Sequence, residues 1–257
     1  MADLRGRPSG RLDGEGAPAV REVGAPPEHH HRNVQGGAAR AAVFGISDGL
    51  VSNVSLILGV AGANPAPGVV RLAGLAGLVA GAFSMAAGEY VSMKAQAELL
   101  ERELDLERIE IARRPETERR ELAAIYRSRG VEPAVADELA TAMMSDPDLA
   151  LETHAREELG IDPEKLGSPV LAALSSFLAF SFGALLPLVP WLITRGSAAT
   201  AGSIVVGALA AIGIGVALSF FTGRSRFRSA LRQLLIAGAA AAVTFAVGSA
   251  VGAERVV

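Results

Sequence analysis

Three pairs of candidate metal ligands stand out in this chain by residue type and spacing. Glu107 and Glu110 lie three residues apart, Glu118 and Glu121 likewise, and Pro115 separates the two pairs. Residues three apart are neighbours on one helical face. Two Glu-x-x-Glu pairs on antiparallel helices would therefore present four carboxylates to one site, the logic of carboxylate-bridged metal bundles. His154 and Glu158 add a nitrogen and an oxygen at i and i+4, a common two-ligand spacing. A solvated helix face would look equally acidic, and Arg102, Arg108, Arg113, Arg119 and Arg120 could neutralise it. Spacing alone leaves both readings open.

A second group of polar residues sits inside apolar sequence. Asp48 lies within AAVFGISDGLVSNVSLILGVAGA, about Ala41 to Ala63. A carboxylate at such depth costs about 2.5–3.5 kcal/mol on insertion scales, so it is expected to face protein or water rather than lipid. Asp48, Ser52, Ser55 and Gly59 recur at helical spacing and share a face. The plainer alternative is a hydrated Asp near the helix entrance, capping a local break beside Gly45 and Gly49. Met85, Glu89 and Met93 also share a face, at i, i+4 and i+8. A thioether beside a carboxylate suits a borderline-soft divalent ion such as Fe²⁺, whereas a lone Met is more often core filler. Glu89, near a membrane boundary, needs a partner on either reading.

The elements that position these residues follow from composition. The 257 residues are 50% hydrophobic with 29 Gly and a mean hydropathy of +0.35. The apolar residues gather in blocks of about twenty, the length that crosses the hydrocarbon core of a bilayer. Five spans are expected: Ala41–Ala63, Val70–Met93, Ser168–Ile193, Ala198–Phe221 and Ala230–Ala253. Pro187 and Pro190 should kink or end the third. The fold class is thus all-α, a polytopic membrane protein with a helical domain at 94–166 between spans two and three. That insert continues the second span as a charged rod to Pro115. Further helices are expected after Pro115 up to Gly130, over Pro133–Met144, and from Asp146 to Gly160.

Charge assigns the sides. Between Lys94 and Lys165 lie 19 of the 27 acidic residues against 11 Lys and Arg, so the net charge of −3 hides a strongly acidic insert. A nucleic-acid role would want the opposite sign. Arg224, Arg226, Arg228 and Arg232 form the densest basic group near any span. The positive-inside rule puts them in the cytosol, together with the N-terminus and the acidic insert. Cys is absent, which excludes disulfides and thiolate sites. Residues 1–39, rich in Gly, Pro and Arg and without the apolar core of a signal peptide, are expected to be a disordered tail. Its His29, His30 and His31 are weak candidates for metal contact. Residues 254–257 form a short C-terminal tail.

GISDGLVSNVSLILGVAGA, GLVAGAFSMAAGEYVSMKAQ and HAREELGID, set among five spans with an acidic insert, resemble the vacuolar iron transporter family over about Arg40 to Ala253. The resemblance implies a homodimeric, proton-coupled antiporter that moves Fe²⁺, or in some members Mn²⁺, out of the cytosol. It implies a path lined by Asp48 and Met85 at the subunit interface, and metal ligands at Glu107, Glu110, Glu118, Glu121 and Glu158. Where plant-type members place a Met shortly before the last of these, this chain has His154, a harder ligand that still suits Fe²⁺. Glu89 would join the path to the collector. The expected partners are the bilayer, divalent ions and protons. No prosthetic group and no enzymatic reaction are expected. The Ala, Gly and Arg bias and the short loops suggest a prokaryotic plasma membrane. Two other classes compete: a membrane-anchored iron sensor or buffer, for which Asp48 would be superfluous, and a di-iron oxidoreductase, whose usual Glu-x-x-His pairs on bundle helices are not found in the right register.

Overall fold

In a computed structural model of the protein, residues 37–160 and 167–253 are described. They form eight helices and no strand: α1 (Gly37–Gly62), α2 (Pro67–Arg113), α3 (Pro115–Ser128), α4 (Pro133–Met143), α5 (Pro147–Glu157), α6 (Pro169–Ile193), α7 (Gly196–Thr222) and α8 (Arg226–Ala253). The His29–His31 run, most of the expected N-terminal tail and the C-terminal tail lie outside the described residues. Gly37, Ala38 and Ala39, assigned above to the tail, already belong to α1.

Five helices, α1, α2, α6, α7 and α8, are long and apolar enough to cross a membrane. The chain is an all-α polytopic membrane protein. The second span and the rod are one helix of 47 residues. Between Gly88 and Pro115 the sequence offers nothing to stop it. Pro115 then forbids the α region to its predecessor, and Arg114 leaves the helix at φ −137°, ψ 50°. The two prolines of α6 end nothing: the helix runs through Pro187 and Pro190 to Ile193. A break at that depth would strand backbone groups in hydrocarbon, so the prolines are absorbed within the helix.

Helix α1 is the hub and packs on α2, α6, α7 and α8. It can do so because the crossings are built from glycine. A Cβ on Gly49 would overlap the Phe180 carbonyl of α6, and one on Gly248 of α8 would overlap the Gly59 carbonyl of α1. Small residues at such points let backbones touch, and that contact holds spans together where the hydrophobic effect gives no drive. Ala41, Met93 and Ala172 cluster, which places the start of α1, the middle of α2 and the start of α6 at one end of the bundle. Leu72, Leu75, Val79 and Phe83 on α2 point outward.

The inserted domain has its own small core, in which Leu122, Ala123 and Tyr126 of α3 pack on Ala136 and Ala140 of α4. Gly130, at φ +92°, terminates α3 as expected. The Glu132 carboxylate accepts from the amides of Ala134 and Val135 to cap α4, and Asp146 caps α5 through Asp148 and Leu149. Arg129 pairs with Glu157 and joins the end of α3 to α5. Helix α5 also lies against the distal part of α2 and carries His154 to it.

Candidate functional site

The first candidate site lies in the inserted domain. His154 is fully buried, and its Nδ1 stands 3.0 Å from Glu107 Oε1 and 3.2 Å from Glu158 Oε2. The ligand atoms of Glu107, His154 and Glu158 all lie within 4.8 Å of one another. Three residues from two helices thus converge on a volume the size of one ion. His154 and Glu158 meet across one turn of α5, and the final turn is loose: Glu158 is the residue at which α5 stops.

The other carboxylates stand around this cluster rather than in it. Glu118, at the start of α3, is 5% exposed, while Glu110 and Glu121 face solvent. Of the expected ligands, the structure brings two carboxylates and an imidazole within 4.8 Å of one another, with Glu118, Glu110 and Glu121 placed around them. Helix α5 brings His154 onto Glu107. Burial, then the charge of Glu158, pushes the Glu107 carboxyl from its usual 4.5 up to about 7; His154 pulls it down, and Glu118 and Glu110 raise it further. Burial and then Glu121 likewise raise Glu118. Glu107 Oε1 and His154 Nε2 are buried without a hydrogen-bond partner among the described residues. The short Glu107–His154 approach is thus a contact rather than an aligned bond, because the Nδ1 hydrogen bond goes to Glu158. Carboxylates crowded around an imidazole repel one another, and a divalent cation removes the repulsion. The donor set of two oxygens and one nitrogen suits Fe²⁺ or Mn²⁺.

The second candidate site is a cleft of about 260 Å³ between α1, α2 and α6. It is lined by Asp48, Ser52, Asn53 and Leu56 of α1, Gly77, Gly81, Ser84 and Met85 of α2, and Phe180 of α6. The Ser52 hydroxyl donates to Asp48 Oδ1 at 2.9 Å. Asp48 and Met85, separated in sequence, thus line one cavity. Ser52 of the α1 stripe joins them, whereas the far end of each expected stripe goes elsewhere. Gly59 packs on Thr244 of α8 and Met93 packs with Ala41 and Ala172, because a straight stripe on a tilted helix passes from one neighbour to the next. Glu89 is outside the cleft. Its carboxylate receives Arg40 at 2.8 Å, which is the partner a boundary carboxylate needs. Sequence reasoning missed Asn53 and Phe180 in the cleft. An Asn in the middle of an apolar run was a usable signal for the first, whereas nothing in the α6 sequence marks Phe180.

The arrangement defines a class: a five-span helical membrane protein with a polar cleft among its spans and a separate acidic, metal-competent helical domain. A sequence profile of the VIT family matches residues 39–249. The chain belongs to the VIT family. It is similar to the "Vacuolar iron transporter" of Acanthamoeba castellanii, 39% identical over 222 residues that cover 85% of this chain and 81% of the relative. "Vacuolar iron transporter 1" of Eucalyptus grandis is 34% identical over 217 residues, 84% of this chain and 87% of that one. "Vacuolar iron transporter 1" of Oryza sativa subsp. japonica is 32% identical over 244 residues, 93% and 97% of the two chains.

Proposed function

We propose that this protein transports Fe²⁺ or Mn²⁺ across the membrane and out of the cytosol in exchange for protons. The observation that carries the reading is the coexistence of two ligand sets in one chain. Glu107, His154 and Glu158 offer a capture site in the inserted domain. Asp48 and Met85 offer a carboxylate and a thioether within the spans. The names of the relatives, vacuolar iron transporters from an amoeba and from plants, support iron as cargo.

In this scheme Glu107, His154 and Glu158 collect the ion, while Glu110, Glu118 and Glu121 hold a negative field around it. Asp48 then binds metal or proton in turn, which couples the two flows. Glu89 and its partner Arg40 stand at the mouth. Asp48 is exposed on the single chain, and a carboxylate facing lipid is costly. A second copy covering this face resolves the cost, so we assign the protein as a homodimer whose path runs along the interface. The basic group Arg224, Arg226, Arg228 and Arg232 assigns its end of the bundle, and with it the inserted domain, to the cytosol. A prokaryotic plasma membrane remains our assignment from composition.

The test is metal uptake by the full chain in proteoliposomes, with Fe²⁺ and Mn²⁺ in competition and an imposed pH gradient. Uptake that depends on the gradient supports antiport. Tight binding with no uptake would make the protein an anchored metal buffer instead, and oxygen consumption on addition of Fe²⁺ would reveal an oxidase.

A further inference from the structure

Asn53 is 2% exposed, in the middle of α1. Its Nδ2 donates to the Ala184 carbonyl of α6 at 2.6 Å. Only the amide NH₂ can donate to a carbonyl, so this bond fixes which way the side chain points. Oδ1 is left on the other side, buried and without a hydrogen-bond partner among the described residues. The same residue lines the cleft with Asp48, Ser52 and Met85. A buried carbonyl-type oxygen is costly to leave unpaired. The wall opposite is Gly77 of α2, where an added Cβ would come within 2.9 Å of Asn53 Oδ1. The absence of a side chain at Gly77 leaves that buried oxygen without an apolar group pressed against it.

We propose that Asn53 Oδ1 is a selectivity-determining ligand, a neutral hard oxygen that replaces a water of the divalent cation as it enters the cleft beside Asp48 and Met85. This rests on the reading of the cleft as the ion path. Because the amide is neutral, it adds a ligand without adding negative charge. It therefore leaves Asp48 as the one carboxylate that the described residues of each chain contribute to the cleft. It also sets the balance of the site. Oxygen donors favour Mn²⁺, whereas the Met85 thioether favours softer ions. With Oδ1 the cleft accepts both Fe²⁺ and Mn²⁺; without it the thioether gains weight and Mn²⁺ is disfavoured.

The experiment compares wild type, Asn53→Leu, Gly77→Ala and Asp48→Ala in proteoliposomes. It reads initial rates for Fe²⁺ and Mn²⁺ separately, and thermal unfolding in detergent. Asn53→Leu removes the oxygen together with its bond to α6. Gly77→Ala does not touch that bond directly and sets a methyl group against the oxygen, with the flexible end of Leu56 giving way beside it. The expected result is a fall in the Mn²⁺:Fe²⁺ rate ratio on the order of tenfold in both, the scale of a perturbed metal shell. A purely structural Asn53 would instead lower the melting temperature of Asn53→Leu and leave the ratio unchanged in Gly77→Ala, which overturns the proposal. If Asn53→Leu does not fold, Gly77→Ala decides alone. Transport surviving Asp48→Ala would sink the path reading and the proposal with it. Transport lost in Asp48→Ala, with wild-type ratios in the other two, would sink the role of Asn53 only.

Discussion

Glu107 and His154 meet at 3.0 Å across two helices, each buried, with Glu158 closing the third side. An imidazole can bring at most one positive charge to two carboxylates, where a divalent ion brings two. Replacing either Glu107 by Gln or His154 by Ala is expected to weaken metal binding by the full-length protein at least ~10-fold, about 1.4 kcal/mol. Glu121→Gln, outside the cluster and exposed, should cost much less. Calorimetric titration with Mn²⁺ separates the two outcomes, and equal effects at all three positions would mean a diffuse acidic surface rather than a site.

Protonation gives a second handle. Glu107 is raised to about 7, so metal must displace its proton in mildly acidic solution, and affinity should fall as pH drops below 7. The stability of the metal-free protein runs the other way. A carboxyl with a folded pKa near 7 and an unfolded one near 4.5 binds protons more tightly when folded. Its stabilising contribution is complete below about 4.5 and is lost as pH rises through 7. Melting curves of the metal-free protein from pH 4.5 to 8 should show this decline, and Glu107→Gln should flatten it.

The glycine crossings predict a sharp contrast between two similar substitutions. Gly49→Ala drives a methyl group into the backbone of Phe180, whereas Gly213→Ala on α7 meets nothing within 4 Å. The first should destabilise by about 1–3 kcal/mol or more, as overpacking does, and lower the yield of folded protein. The second should be neutral or slightly favourable, since Ala is the better helix former. Thermal unfolding in detergent compares them directly.

Arg40 and Glu89 form an ion pair with Arg40 half exposed, and such pairs contribute only ~0–1 kcal/mol. Arg40→Gln and Glu89→Gln should therefore leave melting nearly unchanged. Glu89→Gln should slow transport less than Asp48→Ala does, because Glu89 lies outside the cleft. Loss of transport as complete as in Asp48→Ala would put Glu89 on the path itself.

The membrane architecture was legible because hydrocarbon enforces length and polarity. Blocks of about twenty apolar residues, and a stretch free of Gly and Pro up to Pro115, suffice to lay out five spans and a continuous α2. The identity of the candidate ligands was also open to spacing arguments, since i, i+3 and i+4 relations are local. What spacing could not supply was partnership between helices. That α5 rather than the Glu118–Glu121 pair closes on Glu107, that Arg40 reaches Glu89, and that Phe180 and Asn53 share a cavity with Met85 all depend on how helices cross. The helix-ending tendency of Pro187 and Pro190 was overridden because a span has no water to receive freed carbonyls.

The uninterrupted α2 acts as a spacer of fixed length. At 1.5 Å per residue it sets Glu107 about 33 Å along the helix axis from Met85. The Debye length at physiological salt is only ~8 Å, so charges that far apart through solvent scarcely sense each other. A charge gained or lost at the outlying cluster is therefore scarcely felt at the cleft through the field. On the proposed function, an ion leaving Glu107 would cross water before it meets the cleft. Direct charge coupling between the two stations is thus negligible, and on that function depletion at one would reach the other as a change in local concentration, as from a reservoir.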